Sequence, residues 1–224
     1  MKAQAQEWTA ARKLTYLRDR NVGDCRRCVL SRGRTNIVFG VGDAEADLMF
    51  VGEAPGAEED RRGEPFVGRA GQRLDQWLGE LGLQRSQVFI ANVLKCRPPG
   101  NRDPEPDEIE KCSPFLLAQI RAIEPKVLIA LGRFAGNMLL AGSPQEAARA
   151  RRSMRSMQGS VHEFVEKKTN RRIPLVVTYH PSYVLRRERE PGGRGSENGP
   201  PRNPENDLVL EDLRRALALA RGRH

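Results

Sequence analysis

The sequence predicts an α/β protein built as a three-layer αβα sandwich around a central, mostly parallel four-stranded sheet. Four short apolar runs, rich in β-branched residues, are nearly continuous in apolar character, which is typical of strands buried on both faces of a parallel sheet. Helical patterns lie between the runs, and this alternation indicates the layered architecture. The length of 224 residues suits one domain, so we expect a single domain over residues 1–224.

Each element follows from its local pattern. The predicted strands are residues 47–52, 87–93, 126–132 and 173–179. The helix at 70–81 places Leu74, Trp77, Leu78 and Leu81 at helical spacing. Further helices are predicted at 106–123, 133–140 and 207–220, and an amphipathic N-terminal helix at 1–14. The basic stretch 143–172 predicts a helix end and an edge hairpin. Residues 187–206, rich in Gly, Pro and charge, predict a flexible surface loop.

Charge and composition limit the class of protein. The net charge is +9 and the sequence pI is about 9.9, a balance that most often indicates a nucleic-acid partner. No apolar run is long enough to span a bilayer, and the N-terminus lacks a signal-peptide core. We therefore expect a soluble cytoplasmic monomer associated with the nucleoid. The plain alternative is a solvated basic surface without a partner.

The four cysteines of the chain are candidate ligands of one metal centre. Four thiolates suffice for one iron–sulfur cluster or one zinc ion. A structural zinc ribbon usually pairs two C-x-x-C motifs. This chain has one such motif, so the spacing favours the cluster. The alternatives are free buried thiols and, less fitting for a chain that nothing marks as secreted, two disulfides. The candidate ligands are Cys25, Cys28, Cys96 and Cys112.

Polar or glycine-rich segments follow three of the predicted strands, at the edge where open parallel sheets bind ligands. GEAPGAEED at 52–60 and PFVGRAG at 65–71 follow the first strand. The second strand ends at Asn92, and the fourth runs into His180. Together these segments offer a carboxylate, a carboxamide and an imidazole to a small planar ligand.

These motifs resemble the uracil-DNA glycosylase superfamily, and most closely its family 4, the iron–sulfur uracil-DNA glycosylases. The resemblance also includes NVLKCRPP at 92–99 and HPSYVLR at 180–186, and it covers roughly residues 12–186 and the last helix. It implies a monofunctional DNA-repair hydrolase that flips uracil out of DNA and breaks its N-glycosidic bond, leaving an abasic site. It further implies that all four cysteines bind one [4Fe–4S] cluster with a structural role, redox sensing being the alternative.

The resemblance also implies residue roles. Phe66 stacks on the flipped base, and Asn92 pairs with uracil N3–H and O4, a pattern that refuses cytosine. His180 donates to O2 as negative charge develops there. The plain alternatives are a core Phe, a strand-end Asn cap and a loop His bound to backbone. The base-binding segment is completed by Gly52, Ala54 and Gly56.

The sequence departs from the best-known branch of the superfamily at two positions. Ala54 stands where that branch has an Asp, so the carboxylate that activates water has to come from Glu53 or, second, from Glu59. Gly56 stands where the branch has a Tyr that excludes the thymine methyl, and the resemblance suggests Glu59 as the replacement. A solvated acidic loop is the plain alternative. Residues 96–102 hold no His for covalent capture of DNA, so we expect turnover.

The segment after His180 predicts the DNA contact. The apolar run Tyr183, Val184 and Leu185 is expected to wedge into the gap left by the flipped base. Ser182, Arg186, Arg187 and the basic stretch 149–155 are expected to contact the DNA backbone. The substrate is uracil-containing DNA, either single- or double-stranded. The alternative function is a non-catalytic iron–sulfur module that recognises damaged DNA or accompanies a polymerase.

Overall fold

The computed structural model describes residues 8–141, 143–189 and 203–222. In this part of the chain the sheet has six strands, which are β1 Val41–Gly42, β2 Leu48–Gly52, β3 Phe89–Asn92, β4 Val127–Leu131, β5 Val161–Glu166 and β6 Arg171–Thr178. Their order in the sheet is β1-β3-β2-β4-β6-β5. Neighbours among β3, β2, β4 and β6 are parallel, whereas β1 and β5 pair antiparallel at the two edges.

Helices cover both faces of this sheet. Successive residues of β2 point to opposite faces, so Met49 and Val51 belong to one apolar core while Leu48 and Phe50 belong to the other. The helices are α1 Ala10–Tyr16, α2 Ala57–Arg62, α3 Arg69–Glu80, α4 Pro106–Ile123, α5 Arg133–Leu140, α6 Pro144–Arg149, α7 Pro181–Arg187 and α8 Pro204–Ala220. Helices α1, α4, α5 and α6 pack on the first face of the sheet, and α3, α7 and α8 pack on the second.

The predicted three-layer class and its four parallel strands are confirmed, with two strands added. Of the edge hairpin predicted within 143–172, the first strand is β5; its partner β6 is the predicted fourth strand and extends to Thr178. The two-residue β1 was missed, because so short an edge strand carries no periodic pattern. The helices expected at 106–123 and 133–140 have those bounds in the structure.

Two predictions fall partly outside the described residues. Of the N-terminal helix expected at 1–14, the structure describes a helix from Ala10, which continues as a π-helical turn at Leu17–Val22. Residues 190–202 of the loop expected at 187–206 are not described. Both ends of the predicted loop 187–206 belong to helices, since α7 ends at Arg187 and α8 begins at Pro204. No helix in the described ranges is long and apolar enough to cross a membrane.

Candidate active site

The carboxyl ends of the parallel strands border a cleft of about 780 Å³. Glu53 follows β2, Asn92 ends β3, Gly132 follows β4 and His180 follows β6, and all four line the cleft. Phe66, from the loop between α2 and α3, lines it as well. The fold therefore brings together side chains that the sequence places at separate strand ends.

Asn92 lies against the parallel partner strand with its carboxamide buried. Its side chain is 2% exposed, and its Oδ1 has no hydrogen-bond partner in the structure. Gly52 is its register partner on β2. A Cβ on Gly52 would contact Asn92 Oδ1 and would lie 2.5 Å from Phe66 Cζ. Because Gly52 has no side chain, the Asn92 carboxamide and the Phe66 ring can approach each other, and the Asn92 Oδ1 is left as an acceptor without a partner.

The backbone of Phe66 is held in an unusual conformation. Its φ of 53° is in the left-handed region, which a bulky residue adopts only when its surroundings enforce it. Arg85 donates to the Phe66 and Pro65 carbonyls at 3.0 and 2.7 Å. A Cβ on Gly71 would collide with the Phe66 carbonyl oxygen, so the start of α3 approaches the loop closely. These contacts fix the ring in the cleft.

Glu59, the second candidate carboxylate, holds the same loop. Its Oε1 accepts the N–H groups of Val67 and Gly68 at 3.0 and 2.9 Å, and its Oε2 accepts that of Gly56 at 3.1 Å. A carboxylate with three backbone donors is well satisfied. Glu59 lines the cleft, yet its hydrogen bonds suit positioning the Phe66 loop better than activating water.

His180 lines the cleft, and its hydrogen bonds define the tautomer of its ring. The backbone N–H of Ser182 donates to Nδ1 at 3.2 Å, and the Ser182 hydroxyl lies 2.7 Å from the same atom. Because Nδ1 accepts, the neutral ring carries its proton on Nε2. Burial, together with the nearby Arg186, lowers the pKa of His180 to about 4. The ring is therefore a neutral donor at physiological pH, 5.7 Å from the Phe66 ring centroid.

Glu53 has the environment expected of a base. Burial is the main cause that raises its pKa, to about 7, and the charge of Asp103 adds to the effect while Arg133 opposes it. Asp103 and Arg133 line the same cleft and lie 3.5 Å apart as an ion pair. A carboxylate with this pKa can take up a proton from water near neutral pH.

The four cysteines line one small pocket beneath the loop that follows β3. The Lys95 N–H donates to Cys112 Sγ at 3.2 Å, and Arg34 donates to Cys96 Sγ at 3.6 Å. Such donors stabilise thiolate ligands. Burial raises the pKa of the free Cys112 thiol to about 12. Across the described ranges, no group of three or more His, Cys, Asp or Glu side chains meets the arrangement expected around a metal ion.

Comparisons with known proteins identify the family of this chain. The family model of the uracil DNA glycosylase superfamily matches residues 39–209. The type-4 uracil-DNA glycosylase of Archaeoglobus fulgidus is 45% identical over 168 residues, covering 75% of this chain and 81% of that protein. That of Sulfurisphaera tokodaii is 46% identical over 162 residues, 72% and 71% of the two chains. That of Thermotoga maritima is 40% identical over 198 residues, 87% and 88%.

The chain belongs to the uracil DNA glycosylase superfamily. The predicted membership is thereby confirmed, and the cleft at the strand ends is the candidate active site of this superfamily member. Ala54 and Gly56 line it between Glu53 and Glu59.

One DNA-contact prediction for this superfamily member is wrong. Val184 is fully buried and packs in the core beneath α7, so it cannot enter DNA. Because residues 181–187 form a helix, Pro181 and Val184 share its buried face, while Tyr183 and Leu185 stay partly exposed. Ser182 is bound to the His180 ring. Tyr183 and the exposed Arg186 line the cleft and remain candidates for DNA contact.

Three residues that shape the site are not predicted as site residues from the sequence. Arg85 holds the Phe66 loop, and Arg133 lines the cleft. Lys95 is a buried cation behind Asn92. The sequence signal for Lys95 is a basic residue that directly precedes a candidate cluster ligand, Cys96, and this does not indicate its burial behind Asn92; for the two arginines there is no signal.

Proposed function

We propose that this protein is a uracil-DNA glycosylase that flips uracil out of DNA and hydrolyses its N-glycosidic bond, leaving an abasic site. The observation that carries the proposal is the convergence of Phe66, Asn92 and His180 in one cleft, with the Asn92 Oδ1 unpartnered. A planar ring stacked on Phe66 would place polar edge atoms opposite Asn92. A buried acceptor without a partner favours a ligand that brings a donor there.

Uracil fits this requirement. Its N3–H donates to the Asn92 Oδ1, and its O4 accepts from the Asn92 amide. Cytosine presents an acceptor at N3 and a donor at position 4, so the Asn92 Oδ1 would face an acceptor and the Asn92 amide would face a donor. Leaving such groups unpaired costs about 1–3 kcal/mol each, which is enough to discriminate between the two bases.

His180 and Glu53 supply the chemistry. Bond cleavage expels a uracil anion and leaves an oxocarbenium-like sugar. The neutral His180 ring donates from Nε2 to uracil O2 as negative charge grows there. Ionised Glu53 orients and deprotonates the water that attacks the sugar, and its negative charge stabilises the cationic centre. Glu59 holds the Phe66 loop, and exclusion of the thymine methyl stays a prediction for it.

We further propose that the four cysteines hold one [4Fe–4S] cluster. The chemistry of the donor set fits: all four cysteines line one pocket, and N–H groups of Lys95 and Arg34 donate to the sulfurs of Cys112 and Cys96. When bound, the cluster would tie the N-terminal segment with Cys25 and Cys28 to the loop and helix with Cys96 and Cys112. Its role would then be structural.

The DNA strand would lie across the rim of the cleft. Arg155 and Arg186 line the cleft and are exposed, as expected of phosphate contacts in a protein of net charge +9. Partly exposed Tyr183 and Leu185 are the remaining candidates for the wedge. A monomer acting in the cytoplasm, and the choice between single- and double-stranded DNA, stay predictions.

A single-turnover assay tests this function. A labelled oligonucleotide with one uracil, single- or double-stranded, is incubated with excess protein, and abasic sites are cleaved with alkali. The parent should cleave at uracil and leave a matched cytosine oligonucleotide intact. Asn92→Asp should slow excision because a carboxylate cannot donate to O4. Binding without any cleavage would favour the alternative, a non-catalytic DNA-binding module.

A further inference from the structure

Lys95 is a charged side chain enclosed in the protein core. It is 1% exposed and ranks among the largest fully buried side chains. An enclosed ammonium is tolerated only when hydrogen bonds replace its water. Its position, between the end of β3 and Cys96, therefore calls for specific partners.

The ammonium has two such partners on different elements. Lys95 Nζ donates to the Asn92 carbonyl oxygen at 2.8 Å and to Gln119 Oε1 on α4 at 2.6 Å. Gln119 Nε2 in turn donates to the Phe39 carbonyl at 2.9 Å. The ammonium and its two acceptors are enclosed, since Gln119 is 0% and Asn92 is 2% exposed. The chain of bonds thus joins the end of β3 to α4 and to the segment before β1.

The backbone of Lys95 has a further contact. Its N–H donates to Cys112 Sγ at 3.2 Å. A single residue therefore contacts the cysteine pocket through its main chain and the uracil-facing residue through its side chain.

Asn92 needs this support because β1 does not extend far enough to pair with it on the outer side of β3. The β1 register on β3 ends at Ile90, two residues before Asn92. On the inner side, Gly52 pairs with Asn92. The Lys95 ammonium takes the Asn92 carbonyl where the sheet ends. Since the carboxamide direction follows from the backbone, a shift of this peptide would turn the carboxamide away from a bound base.

We propose that Lys95 is a positioning residue for base recognition, which fixes the Asn92 peptide and couples it to the cysteine pocket and α4. The inference rests on the proposed uracil-DNA glycosylase function. Lys95 does not touch the substrate and acts only through Asn92.

A double-mutant cycle separates this role from a general structural one. Lys95→Met keeps the length of the side chain but removes its donors, leaving two buried acceptors without partners. Single-turnover excision should fall by about tenfold to a hundredfold, as displacement of a recognition group does. In an Asn92→Ala background the same change should cost less than about threefold, because residues that act through one another are not additive. Equal losses in both backgrounds would overturn the proposal.

Three further measurements distinguish this role from simple unfolding. Iron per chain and the melting temperature are recorded for each variant, and affinity for free uracil is measured by calorimetry. Leu213→Ala, a cavity on the opposite face of the sheet, is the control for lost stability. Lys95→Met should weaken uracil binding beyond any effect of Leu213→Ala. If both variants weaken it equally at equal melting temperature, the positioning role is wrong.

Gln119→Met provides a second route if Lys95→Met does not fold. It removes the other acceptor of the ammonium and the bond to Phe39, while Lys95 and Asn92 stay in place. Its loss of excision should also vanish in the Asn92→Ala background, and an additive loss would refute the proposal. A parent chain that excises no uracil would contradict the proposed function itself. A parent that excises uracil but shows additive cycles contradicts only the Lys95 inference.

Discussion

Replacing Gly52 by Ala should disable the site with the smallest possible change. An added Cβ would contact Asn92 Oδ1 and would lie 2.5 and 2.7 Å from Phe66 Cζ and Cε2. Carbon atoms pack at about 3.5–4.0 Å, so the ring has to retreat by about 1 Å. Neither neighbour can yield easily, because Phe66 is 5% and Asn92 is 2% exposed.

The expected loss follows from that displacement. Misplacing a group by about 1 Å in an active site costs about a hundredfold in rate. Gly52→Ala should therefore lower single-turnover excision of uracil by about a hundredfold, while overpacking lowers stability by about 1–3 kcal/mol. The assay uses excess enzyme on a uracil oligonucleotide, with the melting temperature measured on the same preparation.

Gly79→Ala is the matched control. Gly79 lies in α3, and a Cβ there would meet nothing within 4 Å. This variant should keep full activity and gain about 0.5–1 kcal/mol in stability, since Gly is unfavourable within a helix. A folded Gly52→Ala protein that excises uracil within about threefold of the parent, under 1 kcal/mol in barrier, would refute the assigned geometry.

Four other predictions address separate parts of the protein. His180→Ala should slow the chemical step by about a hundredfold, the cost of one lost donor to an anion; an unchanged single-turnover rate would contradict its role. The parent rate should rise with pH and level off above about 7 as Glu53 ionises, while His180 with its pKa of about 4 stays neutral; Glu53→Gln should be slower and lose this step, and a persisting step would point to another base. Cys112→Ala should lower iron per chain and bleach absorbance near about 400 nm, whereas parent protein purified without oxygen that holds zinc and no iron would contradict the cluster. Leu185→Ala should reduce excision from duplex DNA more than from single strands, and equal losses on both substrates would exclude a wedge. Val184→Ala should instead lower the stability of the fold by about 2 kcal/mol and affect excision from both substrates alike.

Much of the fold was already determined by the sequence. A strand buried on both faces needs a continuous apolar run, so the four parallel strands could be located within one or two residues of their bounds. Parallel strands bring their carboxyl ends to one edge of the sheet, so the sequence alone predicts that Glu53, Asn92 and His180 lie near one another. The resemblance to family 4 then supplied their expected roles. Local pattern and topology sufficed for these inferences because both depend on residue type and order alone.

Other features were decided by the tertiary structure. Val184 and Leu185 are both apolar and adjacent, and only the packing of α7 on the sheet determines which one is buried. Glu53 and Glu59 lie in one acidic segment, yet burial raises the pKa of Glu53 while three backbone N–H groups satisfy Glu59. Lys95 can lie in the core because its ammonium donates to Gln119, which is distant in sequence, and to the main-chain carbonyl of Asn92. Depth, hydrogen-bond partners and local dielectric depend on contacts between distant segments, and a linear pattern does not contain them.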